Sequence, residues 1–301
     1  MPSVSETIAE VLNRPLVFVH GKGGVGKTVV SQAIAKTLIQ RNHQKNLRKN
    51  KTLWITLEDP TRPPGQLIEV APHLWHLNCD FLQSFEEYAA MKIGVTSLTR
   101  FFLKNKLIRY LAKAAPGIHE LVLLGKIWFE REHYSHVIVD LPSTGYGLAM
   151  FQSTSNFIQL FHGGPLHRDA QAMLKTFEDP TATGHLIVAL PEEMPLRESI
   201  ELNDYLNKMF PNNPRAFLVN RVFPSLLDGQ NEIALPEFCS NPLPHSSQDY
   251  VQKRVRLEEY NLRIWREAQI RFGKLEFVPH FESSSLIIQG ISHQLQSEAY
   301  L

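Results

Sequence analysis

Gly21-Lys22-Gly23-Gly24-Val25-Gly26-Lys27-Thr28 lies between an apolar run, Pro15-Leu16-Val17-Phe18-Val19-His20, and an amphipathic stretch over residues 29–40. The preceding run has the length and unbroken apolarity of one buried parallel strand. In the stretch that follows, Val29, Val30, Ala33, Ile34, Thr37 and Leu38 fall on one face of a helix. G-x-x-x-x-G-K-[ST] between a strand and a helix is a loop built to hold nucleotide phosphates. Gly21, Gly23, Gly24 and Gly26 have no β-carbon, so the backbone can curl with its N–H groups inward. The helix N-terminus beneath, with Val29 in its first turn, adds partial positive charge. Lys27 is then placed for the β- and γ-phosphates, and the Thr28 hydroxyl for Mg²⁺. Lys22 is not required by the general pattern and marks a subclass.

Other apolar runs repeat this alternation. Strands are predicted over residues 16–19, 53–57, 137–139, 186–190, 216–219 and 275–278, with a further short one over 74–77. Helical patterns lie between them. The fold class is therefore α/β: a doubly wound, mostly parallel sheet flanked by helices, of the phosphate-loop NTPase kind. Residues 83–131 are helix-rich and hold no strong strand, so they are read as a helical subdomain inserted into one domain spanning residues 1–301. One long helix is predicted over 248–272, and a surface loop over 225–247.

Composition bounds the function. The chain has 301 residues, 43% of them hydrophobic, and a net charge of +1, so no global field draws it to nucleic acid or anionic lipid. Its two cysteines, Cys79 and Cys239, are far apart and suit a reducing cytoplasm. The first fifteen residues do not have the pattern of a secretory signal, and no run approaches the ~20 apolar residues of a membrane span. A cytoplasmic location is expected, with any membrane contact indirect.

Hydrolysis needs a metal-holding carboxylate and a group that orients water. His136-Val137-Ile138-Val139-Asp140 is an apolar strand ending in an acid, and Asp140 is the candidate for Mg²⁺. In the following Leu141-Pro142-Ser143-Thr144-Gly145, the Gly145 N–H is placed to touch a γ-phosphate. Leu57-Glu58-Asp59-Pro60 also ends a strand, where ligands of such sheets bind. Asp59 is the candidate for aligning water and for the metal's shell, while Glu58 points to the other face.

Taken in order, these segments resemble the ArsA arsenite-pump ATPases and the tail-anchored-protein targeting ATPases. GKGGVGKT is similar to their phosphate loop with its signature lysine, and Asp59-Pro60 to the opening of their first switch, Asp-Pro-Ala-His. Asp140, Thr144 and Gly145 match their second switch, Asp-Thr-Ala-Pro-Thr-Gly-His. Pro116-Gly117-Ile118-His119-Glu120 resembles their Pro-Gly-Ile-Asp-Glu, Leu190-Pro191-Glu192 their apolar-Pro-Glu, and Val219-Asn220-Arg221 their Val-Asn-Gln. The matches run from about residue 15 to 282. The resemblance implies a homodimer with ATP at a shared interface, Lys22 reaching the partner's phosphates, and catalytic roles for Asp59, Lys22 and Lys27. It also implies Mg²⁺ held by Thr28, Asp59 and Asp140, and the base bound by Asn220 and Arg221. The chain departs from the family at Arg62, which replaces the switch histidine, and at Tyr146 and Gly147, which replace His-Thr. It lacks the zinc-holding CxxC of the eukaryotic members, and two distant cysteines do not suit arsenite, which prefers three thiolates.

A protein client is the expected partner. The stripe Phe101, Phe102, Leu103, Leu107, Ile108 and Leu111 is read first as subdomain core and alternatively as a client groove. Residues 159–179 hold one methionine, Met173, and lack the pattern of a Met-rich capture helix. The basic residues Arg41, Lys45, Arg48, Lys49 and Lys51 are read as a solvated loop, with no nucleic acid expected. The pairs His73/His76 and His133/His136 are read as incidental. Two rival functions remain: a positioning ATPase of the ParA/MinD kind, and a nucleotide-gated scaffold with little hydrolysis.

Overall fold

The computed structural model describes residues 3–44, 51–93, 117–160, 162–223, 245–279, 283–298 and 300. Its eight strands are β1 (Leu16–His20), β2 (Thr52–Leu57), β3 (Leu67–Ala71), β4 (Leu74–Cys79), β5 (His136–Asp140), β6 (Thr183–Ala189), β7 (Arg215–Val222) and β8 (Phe272–Glu276). They form one sheet in the order β3-β4-β2-β5-β1-β6-β7-β8. All neighbours pair in parallel except β3, which runs antiparallel to β4 at the edge. The described helices are α1 (Val4–Leu12), α2 (Lys27–Gln44), α3 (Phe81–Ile93), α4 (Ile118–Glu130), α5 (Thr144–Leu160), α6 (Pro165–Glu178), α7 (Glu193–Met209), α8 (His245–Glu267) and α9 (Ser284–Ser297).

Strands β1, β2, β5 and β6 are buried along their whole length, as expected for a sheet covered on both faces. Their side chains alternate between two cores. Phe18, Ile55, Val139 and Ile187 face α4, α5, α6 and α7, whereas Val17, Trp54, Ile138 and Val188 face α1, α2 and α9. Thus α2, which follows β1, covers one face, and α5, which follows the adjacent β5, covers the other. The loops leaving β1 and β5 diverge over the carboxyl ends of these neighbouring strands. That divergence opens the crevice in which doubly wound sheets bind ligands.

Several boundaries differ from the sequence expectation. β8 spans Phe272–Glu276, earlier than 275–278, and β6 ends at Ala189, before Leu190. The long helix is shifted to His245–Glu267, so its first three residues come from the expected 225–247 loop. Its end is set by Gln269, which takes φ 59°. Ile270 N–H donates to Trp265 C=O at 2.9 Å and Gln269 N–H to Arg266 C=O at 3.0 Å, the two bonds of a Schellman cap. Three elements were not anticipated, one of them α9, which follows the last strand. α1 is started by a capping box in which Ser3 and Glu6 bond reciprocally. β3 is an exposed edge strand with little burial to betray it. Of the stretch read as a helical insertion, α3 and α4 are described, and Leu121, Leu124 and Ile127 of α4 join the sheet's core. The apolar stripe at 101–111, Pro116, most of the 225–247 loop and Lys45 to Lys49 lie outside the described residues.

The core holds several neutral histidines. His20 and His185 are hydrogen-bonded ring to ring at 3.0 Å, among Phe18, Phe151 and Phe210. His76 bonds Thr56 and lies against Trp54, which accounts for it without a metal. Burial lowers His20 to about 3 and His76 and His136 to about 4, and drives His185 well down. Their folded values lie below the unfolded 6.5, so the unfolded chain takes protons first and stability is lost as pH falls below about 6.5. Asp140, raised to about 6 chiefly by burial, works oppositely below that pH but is outnumbered. Each such histidine adds about 1.4 kcal/mol per pH unit to the slope. Melting temperature should therefore fall steadily from pH 7 to 5, and His185→Phe should flatten the fall.

Candidate functional site

The loop after β1 bends because its glycines permit it. Gly21 has φ 144°, and a β-carbon there would meet Val188 C=O at 2.3 Å. Gly26 has φ 92°, and its β-carbon would meet the Asn220 amide at 2.5 Å. Strands β6 and β7 thus press the loop into shape from below. Asn220, buried on β7, donates from Nδ2 to Val25 C=O at 2.9 Å. The residue expected to bind a base also braces the phosphate loop.

Lys27 opens α2 and is largely buried, with Nζ donating to Lys22 C=O at 2.9 Å. Burial lowers its pKa, and Asp140 opposes that shift. Thr28 Oγ1 donates to Asp140 Oδ2 at 2.5 Å across the crevice between the β1 and β5 loops. Among the described residues, Asp140 Oδ1 is buried and has no hydrogen-bond partner. A buried carboxylate oxygen left unsatisfied costs free energy and calls for a cation or water. Burial lifts Asp140 to about 6, against the pull of Thr28 and Lys27. The hydroxyl and hard carboxylate oxygens fit a Mg²⁺ ion that keeps several waters. Thr28 and Asp140 are therefore brought together as the sequence implies.

Asp59 follows β2, the strand beside β5. Its Oδ1 accepts from Thr61 N–H at 2.9 Å and Thr61 Oγ1 at 2.7 Å, and its Oδ2 from Arg62 Nε at 3.1 Å. Burial tends to raise its pKa, but the Thr61 bonds and Arg62 outweigh that and hold it below the usual carboxylate value. Arg62 also lies over Trp54, 4.6 Å from the ring centroid. The backbone on both sides is pinned by Asn78, whose Oδ1 accepts from Asp59 N–H and whose Nδ2 donates to Asp59 and Arg62 C=O. Asn78 was not anticipated, and nothing in its local sequence marks it.

Lys22 is partly exposed, with Nζ 2.6 Å from Glu198 Oε1 on α7. Glu198 is a second residue that sequence reading missed. Gly145 lies exposed in the first turn of α5, beyond Asp140. Arg221 is exposed and takes φ 58°. With Gly26, Val29, Asn220, Phe277 and Val278 it lines a cavity of about 250 Å³ beside the phosphate loop. The two residues expected to bind a base, Asn220 and Arg221, thus gather next to the loop.

Residues 14–162 match the family model described as anion-transporting ATPase. The chain is 26% identical over 240 residues to ATPase BagA of Mycobacterium tuberculosis, covering 72% of this chain and 67% of that protein. It is 23% identical over 247 residues to a putative arsenical pump-driving ATPase 2 of Aquifex aeolicus, covering 69% and 80%. It is 24% identical over 287 residues to an ATPase ASNA1 homolog of Plasmodium vivax, covering 81% and 74%. With the phosphate loop, its paired Thr28–Asp140 and the eight-stranded sheet in place, residues 14–162 belong to the ArsA-type ATPase family.

Proposed function

We propose that the protein is a Mg²⁺-dependent ATPase that acts as a homodimeric nucleotide switch and handles a protein client. The observation that carries this reading is the unsatisfied Asp140 Oδ1 beside the Thr28 hydroxyl and Lys27, at the mouth of the glycine loop. The loop amides, Lys27 and the helix N-terminus would bind the triphosphate, and the cavity bounded by Asn220 and Phe277 the base. Thr28 would ligate Mg²⁺ directly and Asp140 through its water shell, with Asp59 nearby. Bound there, the ion would offset charge on the β- and γ-phosphates. Asp59 would align water in line with the γ-phosphate once released from Arg62. Lys22 would leave Glu198 to reach a second subunit's phosphates, tying turnover to dimer closure. For the client, an apolar cavity of about 100 Å³ between α3, α4 and α6 is lined by Leu121, Trp128, Leu166 and Met173, with Met91 and Phe129 exposed at its lip. Among the described residues no helix is long and apolar enough to cross a membrane, so membrane contact would be indirect.

A nucleotide-gated scaffold is the second reading, favoured by the full engagement of both Asp59 oxygens. Steady-state phosphate release separates the two. Asp59→Asn should lower turnover by about 10²- to 10⁴-fold, the usual worth of a group that positions and deprotonates water. Equal slow rates in the two proteins would favour the scaffold.

A further inference from the structure

His119 stands where the family's Pro-Gly-Ile-Asp-Glu has aspartate, and Tyr146 where its second switch has histidine. In the folded chain these two departures touch. Tyr146 Oη lies 3.0 Å from His119 Nδ1, and His119 Nε2 lies 3.0 Å from Glu58 Oε1. One neutral tautomer serves both bonds: Nε2–H donates to the Glu58 carboxylate, and Nδ1 accepts from the tyrosine hydroxyl. The Tyr146 hydroxyl is pushed up to about 12 by burial first and by Glu120 and Glu58 second, so it remains a donor. The imidazole is 15% exposed and lies against the Phe81 ring, with centroids 4.8 Å apart, which fixes its plane.

Each end of this chain of bonds adjoins a residue of the nucleotide site. Glu58 immediately precedes Asp59 and holds a positive φ of 47°, a strained conformation for a non-glycine residue. Tyr146 immediately follows Gly145. His119 lies in the first turn of α4, the helix that carries Leu121, Val122 and Trp128 into the apolar cavity.

We propose that His119 is a positioning residue that joins the loops after β2 and β5 to the start of α4, so that a change in either nucleotide loop moves the wall of the apolar cavity. Glu58 holds the backbone from which Asp59 projects. Tyr146 reports displacement of Gly145. Both act on α4 through one ring. This rests on the nucleotide-switch reading above.

Hydrogen exchange of residues 118–130 in the full chain, with and without Mg²⁺ and a non-hydrolysable ATP analogue, tests it alongside calorimetric binding and steady-state turnover. In the wild type, the analogue should change exchange in α4. Tyr146→Phe, which keeps the ring and removes the hydroxyl, should abolish that change, lower kcat by about tenfold and leave analogue affinity within about twofold. Glu58→Gln, which keeps an acceptor oxygen for His119, should retain most of the response, whereas Glu58→Ala should lose it. A wild-type α4 indifferent to bound analogue would overturn the proposal, as would Tyr146→Phe or Glu58→Ala behaving like wild type. Failure of the wild type to bind the analogue would instead remove the nucleotide reading, and the relay with it.

Discussion

Lys27→Ala is expected to abolish tight ATP binding. Lys27 is the buried cation at the head of α2, and its ammonium is already desolvated before any phosphate arrives. Its removal would leave phosphate oxygens in a confined crevice without their charge-assisted donor. Truncating one partner of such a desolvated pair costs about 2–5 kcal/mol, so affinity should fall by at least about 30-fold. Calorimetry with Mg²⁺ and a non-hydrolysable analogue reads the change. Because Nζ also bonds Lys22 C=O, thermal melting of the apo variant checks that the loop remains folded. Unchanged affinity in a folded Lys27→Ala protein would contradict the phosphate-loop assignment.

Lys22→Ala is expected to separate binding from turnover. Lys22 is partly exposed and is held by Glu198 within the same chain. It therefore contributes little to the chain's own phosphate cradle. A cation supplied across a dimer acts mainly on charge that develops during phosphoryl transfer. Such trans cations are worth about 10³-fold or more in turnover. Lys22→Ala should thus bind the analogue with affinity within about threefold of wild type, yet hydrolyse ATP about 10³-fold more slowly. Wild-type turnover per subunit should also rise with protein concentration, as it must when each site needs a second copy. A variant that hydrolyses at the wild-type rate would refute the trans-lysine role and leave the phosphate loop untouched.

These two lysines show what was legible in the sequence. The loop from Gly21 to Thr28 is read from eight consecutive residues, because its chemistry comes from backbone conformation and a helix start, both local. Asp140 was likewise visible as the acid at the end of an apolar strand. The central strands were found because complete burial leaves an unbroken apolar run. Long-range contacts left no such mark. Lys22 and Glu198 are 176 positions apart, and His119 and Glu58 are 61 apart. No periodicity links residues that meet only after strands have been ordered in a sheet. Asn78, which pins the backbone around Asp59, is one polar residue in a buried strand, and its role depends on β4 lying beside β2.

Boundaries failed for different reasons. The long helix α8 ends in a Schellman cap built on Gln269, where glycine is the usual signal, so the expected helix ran on into β8. β3 exposes Leu67, Ile68 and Val70 at the sheet's edge and shows no inward–outward alternation to read. α1 did carry its signal, the Ser3-x-x-Glu6 capping box before Ile8, Val11 and Leu12, but it was read only for the absence of a targeting segment. The departures at Arg62 and Tyr146 were visible as departures, and only the fold gave them partners: Asp59 and Trp54 for the first, His119 for the second.

The central claim is that the crevice between the β1 and β5 loops binds a triphosphate with its metal. Titration of the wild-type chain with a non-hydrolysable ATP analogue, in the presence and absence of Mg²⁺, tests this most directly. The expected result is saturable binding of one nucleotide per chain, tighter with Mg²⁺ than without it, and weakened by Asp140→Ala only when the metal is present. Absence of any binding heat or thermal shift at millimolar analogue, in protein that melts cooperatively, would contradict it.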